Sequence, residues 1–168
     1  MAEIKKQRPV PTQAVGLVVS LMICFAAGGI GGLATTQGLD AWYETLDKPT
    51  WNPPNWVFAP VWTTLYGLMG TAVWLVWRGG VWNEVKSAVV LFTVQLVLNG
   101  LWSILFFGLQ NPGGALIEIV ALWLAIVATT MLFFRRSMIA GGLMMPYLLW
   151  VSFASFLNFT IWNLNRIW

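Results

Sequence analysis

The sequence predicts an all-α, polytopic membrane protein built as a compact bundle of five transmembrane helices. Two observations carry that prediction. Only 9% of the 168 residues are charged while 58% are hydrophobic, against about a quarter charged in an ordinary soluble domain. The charges are also clumped, leaving 9–39, 49–77, 87–117 and 137–165 with none and a shorter fifth run at 119–134. A helix crosses a bilayer core with about 20 apolar residues. A β-barrel would show short alternating segments, and these runs do not alternate.

The helices are expected at about 12–34, 56–78, 84–108, 113–134 and 139–164, within a single domain spanning 1–168, with a lid loop at about 35–55. The first helix follows a basic start (Lys5, Lys6, Arg8) and carries small residues at Ala26 and Ala27. A cleaved signal core is about 7–15 apolar residues long, and this run is about twice that, so a retained helix is expected. Within it, Gly28-xxx-Gly32 and Ala27-xxx-Gly31 let helix backbones approach closely. They serve either a dimer seam or packing inside the chain. The single cysteine, Cys24, lies in the same helix, so no intramolecular disulfide forms.

The loop after this helix is dense in proline and tryptophan. Pro49, Pro53 and Pro54 stiffen it into an extended path. Pro60 falls in the first turn of the second helix, where its missing donor costs little. Trp51 and Trp56 supply apolar faces and Trp42 and Tyr43 the root. A stiff aromatic segment at the mouth of a bundle reads as a lid, fitted to a flat apolar ligand entering from that side.

The second helix closes at Arg78-Gly79-Gly80. In the third, Gln95, Asn99, Trp102 and Phe106 recur on one face. Gln110-Asn111-Pro112-Gly113-Gly114 makes the next turn. Glu118 comes about a turn and a half later. It is expected near the outer surface, within reach of water, and without a catalytic role. Arg135-Arg136 ends the fourth helix. In the fifth, Pro146 lies early, and Trp150, Ala154, Asn158 and Asn165 share a face. Amides do not face lipid. These faces either bridge helices, at about 0.6 kcal/mol per hydrogen bond, or line a ligand cavity.

Twelve tryptophans need cover. Trp74, Trp77 and Trp82 suit an aromatic belt at one membrane surface, and Trp162 and Trp168 at the other. Trp62, Trp102 and Trp150 lie deeper. With no histidine, His-ligated haem, zinc sites and Ser-His-Asp triads are excluded. The seven methionines read as packing, so no metal site and no required cofactor are expected. There is no Walker loop or GxGxxG. The net charge of +3 is membrane anchoring and calls for no nucleic acid. An odd helix count puts Lys5, Lys6, Arg8, Arg78, Lys86, Arg135 and Arg136 on one side and Lys48 and Arg166 on the other. This bias makes the N-terminus cytoplasmic.

WYETLDKPTWNPPNWVFAPVWTTLYGLMG (42–70), QLVLNGLWSILFFG (95–108) and PYLLWVSFASFLNFTIWNLN (146–165) resemble, in order, the signature of the tryptophan-rich sensory protein family, TspO/MBR. Its eukaryotic members are the mitochondrial translocator proteins, or peripheral-type benzodiazepine receptors. The resemblance implies five transmembrane helices, a pocket closed by the first loop, and homodimers. It implies binding of porphyrins such as protoporphyrin IX, and of isoquinoline-carboxamide or benzodiazepine drugs. It places pocket residues at Tyr43, Pro53, Trp62, Asn99, Trp102, Trp150 and Ala154. Eukaryotic members bind cholesterol through a Leu/Val…Tyr…Lys/Arg pattern in the fifth helix. Here Leu157 is followed by Phe159 and only then by Arg166, a break that argues against specific sterol binding and leans bacterial.

A macrocycle offers a wide π face for aromatic rings, each pair worth about 0.5–1.5 kcal/mol beyond burial. Asn99 is placed to meet a pyrrole or carbonyl, and Lys48 a propionate. Three functional readings stay open: a tetrapyrrole-binding sensor or regulator, a porphyrin or small-lipid transporter, and a light-dependent porphyrin-degrading enzyme. No catalytic residue is assigned, though Trp62 and Trp150 are the groups that photo-oxidation would involve. The membrane is expected to be the bacterial cell membrane, with an outer membrane as the alternative.

Overall fold

The computed structural model describes residues 9–39 and 42–166. Lys5, Lys6, Arg8 and Trp168 lie outside the described residues. Five helices are long and apolar enough to cross a membrane: α1 (Val10–Leu39), α2 (Phe58–Arg78), α3 (Trp82–Ser103), α4 (Pro112–Arg136) and α5 (Met138–Leu164). They form a closed ring in which α1 touches α2, α2 touches α5, α5 touches α4, α4 touches α3, and α3 returns to α1. The chain is a multi-pass membrane protein.

Local chemistry sets the ends. Pro112 opens α4, and the Gly114 N–H donates to the Asn111 side chain at 2.9 Å. Gln110 enters that turn with φ of 52°, a left-handed conformation uncommon outside glycine. Ser137 separates α4 from α5 and accepts from the Ala140 N–H at 3.2 Å. So short a link forces the two helices antiparallel. The Phe134 ring packs directly on Gly141, where an added Cβ would sit 2.3 Å from it.

Two boundaries differ from expectation. α1 continues to Leu39 rather than stopping near 34, so the lid loop is shorter. No proline interrupts this stretch, and the Thr35 and Thr36 hydroxyls donate back to the carbonyls of Gly31 and Leu33. Gly38 lies directly on the Phe107 backbone, where an added Cβ would meet the carbonyl oxygen at 2.5 Å. α3, expected as one helix to 108, ends in a wider π turn over Ile104–Gly108. There the Leu109 N–H reaches the Ile104 carbonyl at 2.7 Å and the Asn111 N–H reaches that of Leu105 at 3.0 Å.

A buried polar network crosses the interior. The Tyr66 hydroxyl donates to Asn99 Oδ1, and Asn99 Nδ2 donates to the Tyr147 hydroxyl at 3.2 Å. All three are buried. In a bilayer no water can satisfy these groups, so the bonds join α2, α3 and α5 at the centre. Gln95 is fully buried one turn away, with both amide atoms unpartnered. Glu118 corrects an expectation. Rather than reaching water it is 9% exposed, with neither carboxyl oxygen hydrogen-bonded, because α4 is packed among neighbouring helices.

The glycine motif in α1 packs inside the chain at two positions. A Cβ on Gly28 would fall 2.4 Å from the Tyr66 ring, and one on Gly31 would fall 3.2 Å from Ser103 Oγ, whereas Gly32 faces open space. Gly28→Ala should therefore displace Tyr66 from Asn99 and destabilise the protein by about 1–3 kcal/mol. Gly32→Ala should be neutral. Thermal unfolding in detergent measures both, and equal midpoints for the two variants would refute this account of the α1–α2 contact.

Candidate functional site

At the end of the bundle opposite Arg78 and Arg135, a small chamber lies beneath the lid. Trp62 and Phe58 from α2, Trp102 from α3, Phe106 and Phe107 from the π turn, and Trp150, Phe153 and Ala154 from α5 line it, with Tyr43 from the lid. The rings interlock. Trp102 stacks on Phe106 at 5.3 Å, Phe58 meets Trp150 edge-on at 6.1 Å, and Trp62 stacks on Tyr66 at 5.6 Å. The enclosed space is only about 50 Å³, room for a water or two.

Larger clefts flank this chamber. One of about 370 Å³ lies between α1 and α2 and shares Thr35, Phe58, Trp62 and Ser103 with it. Another of about 540 Å³ lies between α2 and α5 and shares Trp150 and Phe153. Trp62 and Trp150 are thus the partitions between the chamber and the clefts.

The lid (42–57) is held at three points. Tyr43 is buried, and its hydroxyl donates to Asn52 Oδ1 at 2.7 Å. Burial pushes its phenol up to about 12, with Glu44 adding to the rise and the Asn52 bond opposing it. The hydroxyl therefore keeps its proton at neutral pH, and folding loses stability as pH rises above about 10, through the window where an unfolded tyrosine ionises first. Trp51 stacks on Phe156 at 5.2 Å and meets Phe153 edge-on at 5.9 Å, clipping the loop to α5. Asn165, just past α5, makes a reciprocal pair with Asp47: its Nδ2 donates to the Asp47 carbonyl at 2.9 Å, and the Asp47 N–H donates to its Oδ1 at 3.0 Å. Lys48 donates to the Tyr43 carbonyl at 2.8 Å, lies 4.7 Å from that ring's centre and pairs with Glu44 at 3.7 Å.

The sequence-predicted residues separate into groups. Tyr43, Trp62, Trp102, Trp150 and Ala154 share the chamber. Asn99 does not line it, since its amide is engaged by the two tyrosines. Pro53 is in the lid, its carbonyl accepting from Asn52 at 3.1 Å, and is also outside the chamber wall. Trp42 packs edge-on against Phe106 at 5.6 Å. Trp56 is 74% exposed, so of the two expected apolar faces of the lid only Trp51 packs against the bundle, on Phe153 and Phe156. Asn158 accepts from Trp102 Nε1 at 3.1 Å and donates to the Pro112 carbonyl at 2.9 Å, which makes it both chamber wall and helix bridge. Asn165 belongs to the lid latch rather than the interior face.

Pattern reading did not single out Tyr66, Tyr147, Asn52, Phe58 or Phe153. Tyr66 was within reach, one turn from Trp62 on the same face of α2. The Asn52 bond was not, because it depends on how the loop folds.

A family model described as the TspO/MBR family matches residues 20–163. The chain belongs to that family. A tryptophan-rich protein TspO of Chlorobaculum tepidum is 50% identical over 91% of this chain and 98% of its own length. One from Archaeoglobus fulgidus is 46% identical over 89% and 96%. The human translocator protein is 41% identical over 76% of each chain. The lid (42–57) and the residues lining the chamber fall within the part of the chain that the family model matches.

Asn165→Ala should loosen the latch. Two hydrogen bonds of about 1 kcal/mol each correspond to at least about a tenfold faster amide exchange over 47–52, measured by hydrogen–deuterium exchange. Unchanged exchange there would mean that Trp51 and Tyr43 hold the lid alone.

Proposed function

We propose that the chamber binds a tetrapyrrole of the protoporphyrin IX type and that the protein is a membrane sensor or regulator of porphyrin level. Isoquinoline- and benzodiazepine-type molecules are further ligands. The observation that carries this reading is the convergence of Tyr43, Phe58, Trp62, Trp102, Phe106 and Trp150 on one space beneath a latched lid. Such a wall offers ring faces and edges to a flat π system. The names of relatives support a role of this kind: a tryptophan-rich sensory protein of Cereibacter sphaeroides, 40% identical over 87% of this chain, and the translocator proteins of mammals.

A space of about 50 Å³ is well below the roughly 300–1,000 Å³ of a drug-sized site. The reading therefore includes an opening step. Lifting the lid, with rotation of Trp62 or Trp150, merges the chamber with a flanking cleft. Lys48 is paired with Glu44 inside the lid itself, so a propionate would take that carboxylate's place by direct exchange. Asn99 acts from behind the wall, holding Tyr66 under Trp62, rather than by touching the ligand. No separate cofactor is needed. The basic end faces the cytoplasm of a bacterial cell and the lid faces outward, in keeping with the charge bias. The protein works as a homodimer.

Titration of purified protein with protoporphyrin IX in detergent tests this. Tryptophan fluorescence should be quenched saturably, and Trp62→Phe combined with Trp150→Phe should weaken that quenching severalfold. Asn165→Ala should speed binding. Unaltered quenching in the double variant would remove those rings from the site. Loss of porphyrin absorbance under light would instead mark a degrading enzyme, and gradient-driven uptake into vesicles a transporter.

A further inference from the structure

A second concavity lies at the opposite end of the bundle and shares no residue with the chamber. It is a groove of about 410 Å³ between α1 and α3, with α2 as its floor. Val15, Val19 and Ile23 form one wall, Thr93 and Leu96 the other, and Trp77 part of the floor. The floor is rigid. A Cβ on Gly16 would fall 2.3 Å from the Trp77 ring, so that indole lies against the α1 backbone. Trp74 Nε1 donates to the Gln13 carbonyl at 2.8 Å.

Two features define the occupant. The walls offer little to a polar molecule, since the hydroxyls of Ser20 and Thr93 are committed to the Leu17 and Val89 carbonyls. The α1 wall runs from Thr12 to Ile23, about 16 Å at 1.5 Å per residue, close to half of a roughly 30 Å hydrocarbon core. That is the depth of one leaflet. The rim, in contrast, is basic. The Arg78 guanidinium lies 4.4 Å above the Trp74 ring and 3.5 Å from the Gln13 side chain. Lys86 is exposed one turn before Val89 on α3. The nearby Glu84 is paired with Arg136 at 3.8 Å. The sequence also places Lys5, Lys6 and Arg8 just ahead of α1.

We infer that this groove binds one acyl chain of an anionic glycerophospholipid from the leaflet at the basic end, with its phosphate held by Arg78 and Lys86. The apolar walls take the chain, and the cations select the charge of the headgroup. The site makes one wall of the bundle lipid-dependent without involving the chamber, and the inference stands independently of what the chamber binds.

Native mass spectrometry of detergent-purified protein, offered phosphatidylglycerol or phosphatidylcholine with identical chains, tests it. One phosphatidylglycerol should be retained at a concentration about 25-fold below that needed for phosphatidylcholine. Arg78→Gln with Lys86→Gln should abolish the preference, at about fivefold per charge, while Lys48→Gln at the other end should leave it unchanged. Thr93→Trp should fill the groove and lose both lipids while leaving protoporphyrin quenching intact. Equal retention of the two lipids by the unmodified protein would overturn the inference, a result that needs no variant to fold. So would an intact preference in the double charge variant, or displacement of the lipid by soluble glycerol phosphate.

Discussion

Inside a bilayer, a polar side chain without a partner has no water to turn to, and this constraint organises the bundle. Tyr66, Asn99 and Tyr147 resolve it together, each satisfied by a neighbour on another helix. The network fixes the rotation of α2, α3 and α5 at once. The helix rotations in turn decide which aromatic rings reach the chamber: Trp62 stands one turn from Tyr66, Trp102 three residues from Asn99, and Trp150 three residues from Tyr147. Gly28 extends the same logic to α1, since its missing side chain is what lets Tyr66 keep its position.

The chamber is closed rather than empty. Its rings contact one another across the space a flat ligand would need, and the lid is tied by a buried phenol, a stacked indole and an amide pair. The amide pair and the Trp51–Phe156 stack lie at the surface, and only the phenol is buried. Opening and binding are therefore coupled energetically. Under the proposed reading, ligand contacts must replace ring–ring contacts before they add anything, and an acidic ligand must displace Glu44 from Lys48 within the lid.

Much of this was legible in the chain. Charge-free runs located all five helices because lipid excludes charge, and the Gln110–Gly114 turn and Arg135-Arg136 marked boundaries between them. The end of α1 was hidden. Ala34-Thr35-Thr36-Gln37-Gly38 reads as loop by composition, yet both threonines satisfy themselves on the helix and Gly38 is shaped for Phe107. Asn99 shows why a face is easier to read than a role. Its periodicity put it inside, but whether it meets a ligand or two tyrosines depends on residues 33 and 48 positions away. Trp56 failed for a related reason: a loop has no period, so nothing in the order of residues says which of its tryptophans turns inward. Glu118 looked wet because it is near a turn, and only the packing of neighbouring helices shows it dry.

The π turn at the end of α3 has a consequence for how the chain can vary. It holds one more residue than a regular turn would, and that extra residue lets Phe106 and Phe107 both end against the chamber. Removing a single position between 104 and 108 would restore a regular turn, in which Phe106 and Phe107 no longer both end against the chamber. Exchanges of side chain in this stretch leave the path intact, whereas a deletion rewrites it. The segment therefore tolerates changes of spelling and not of length.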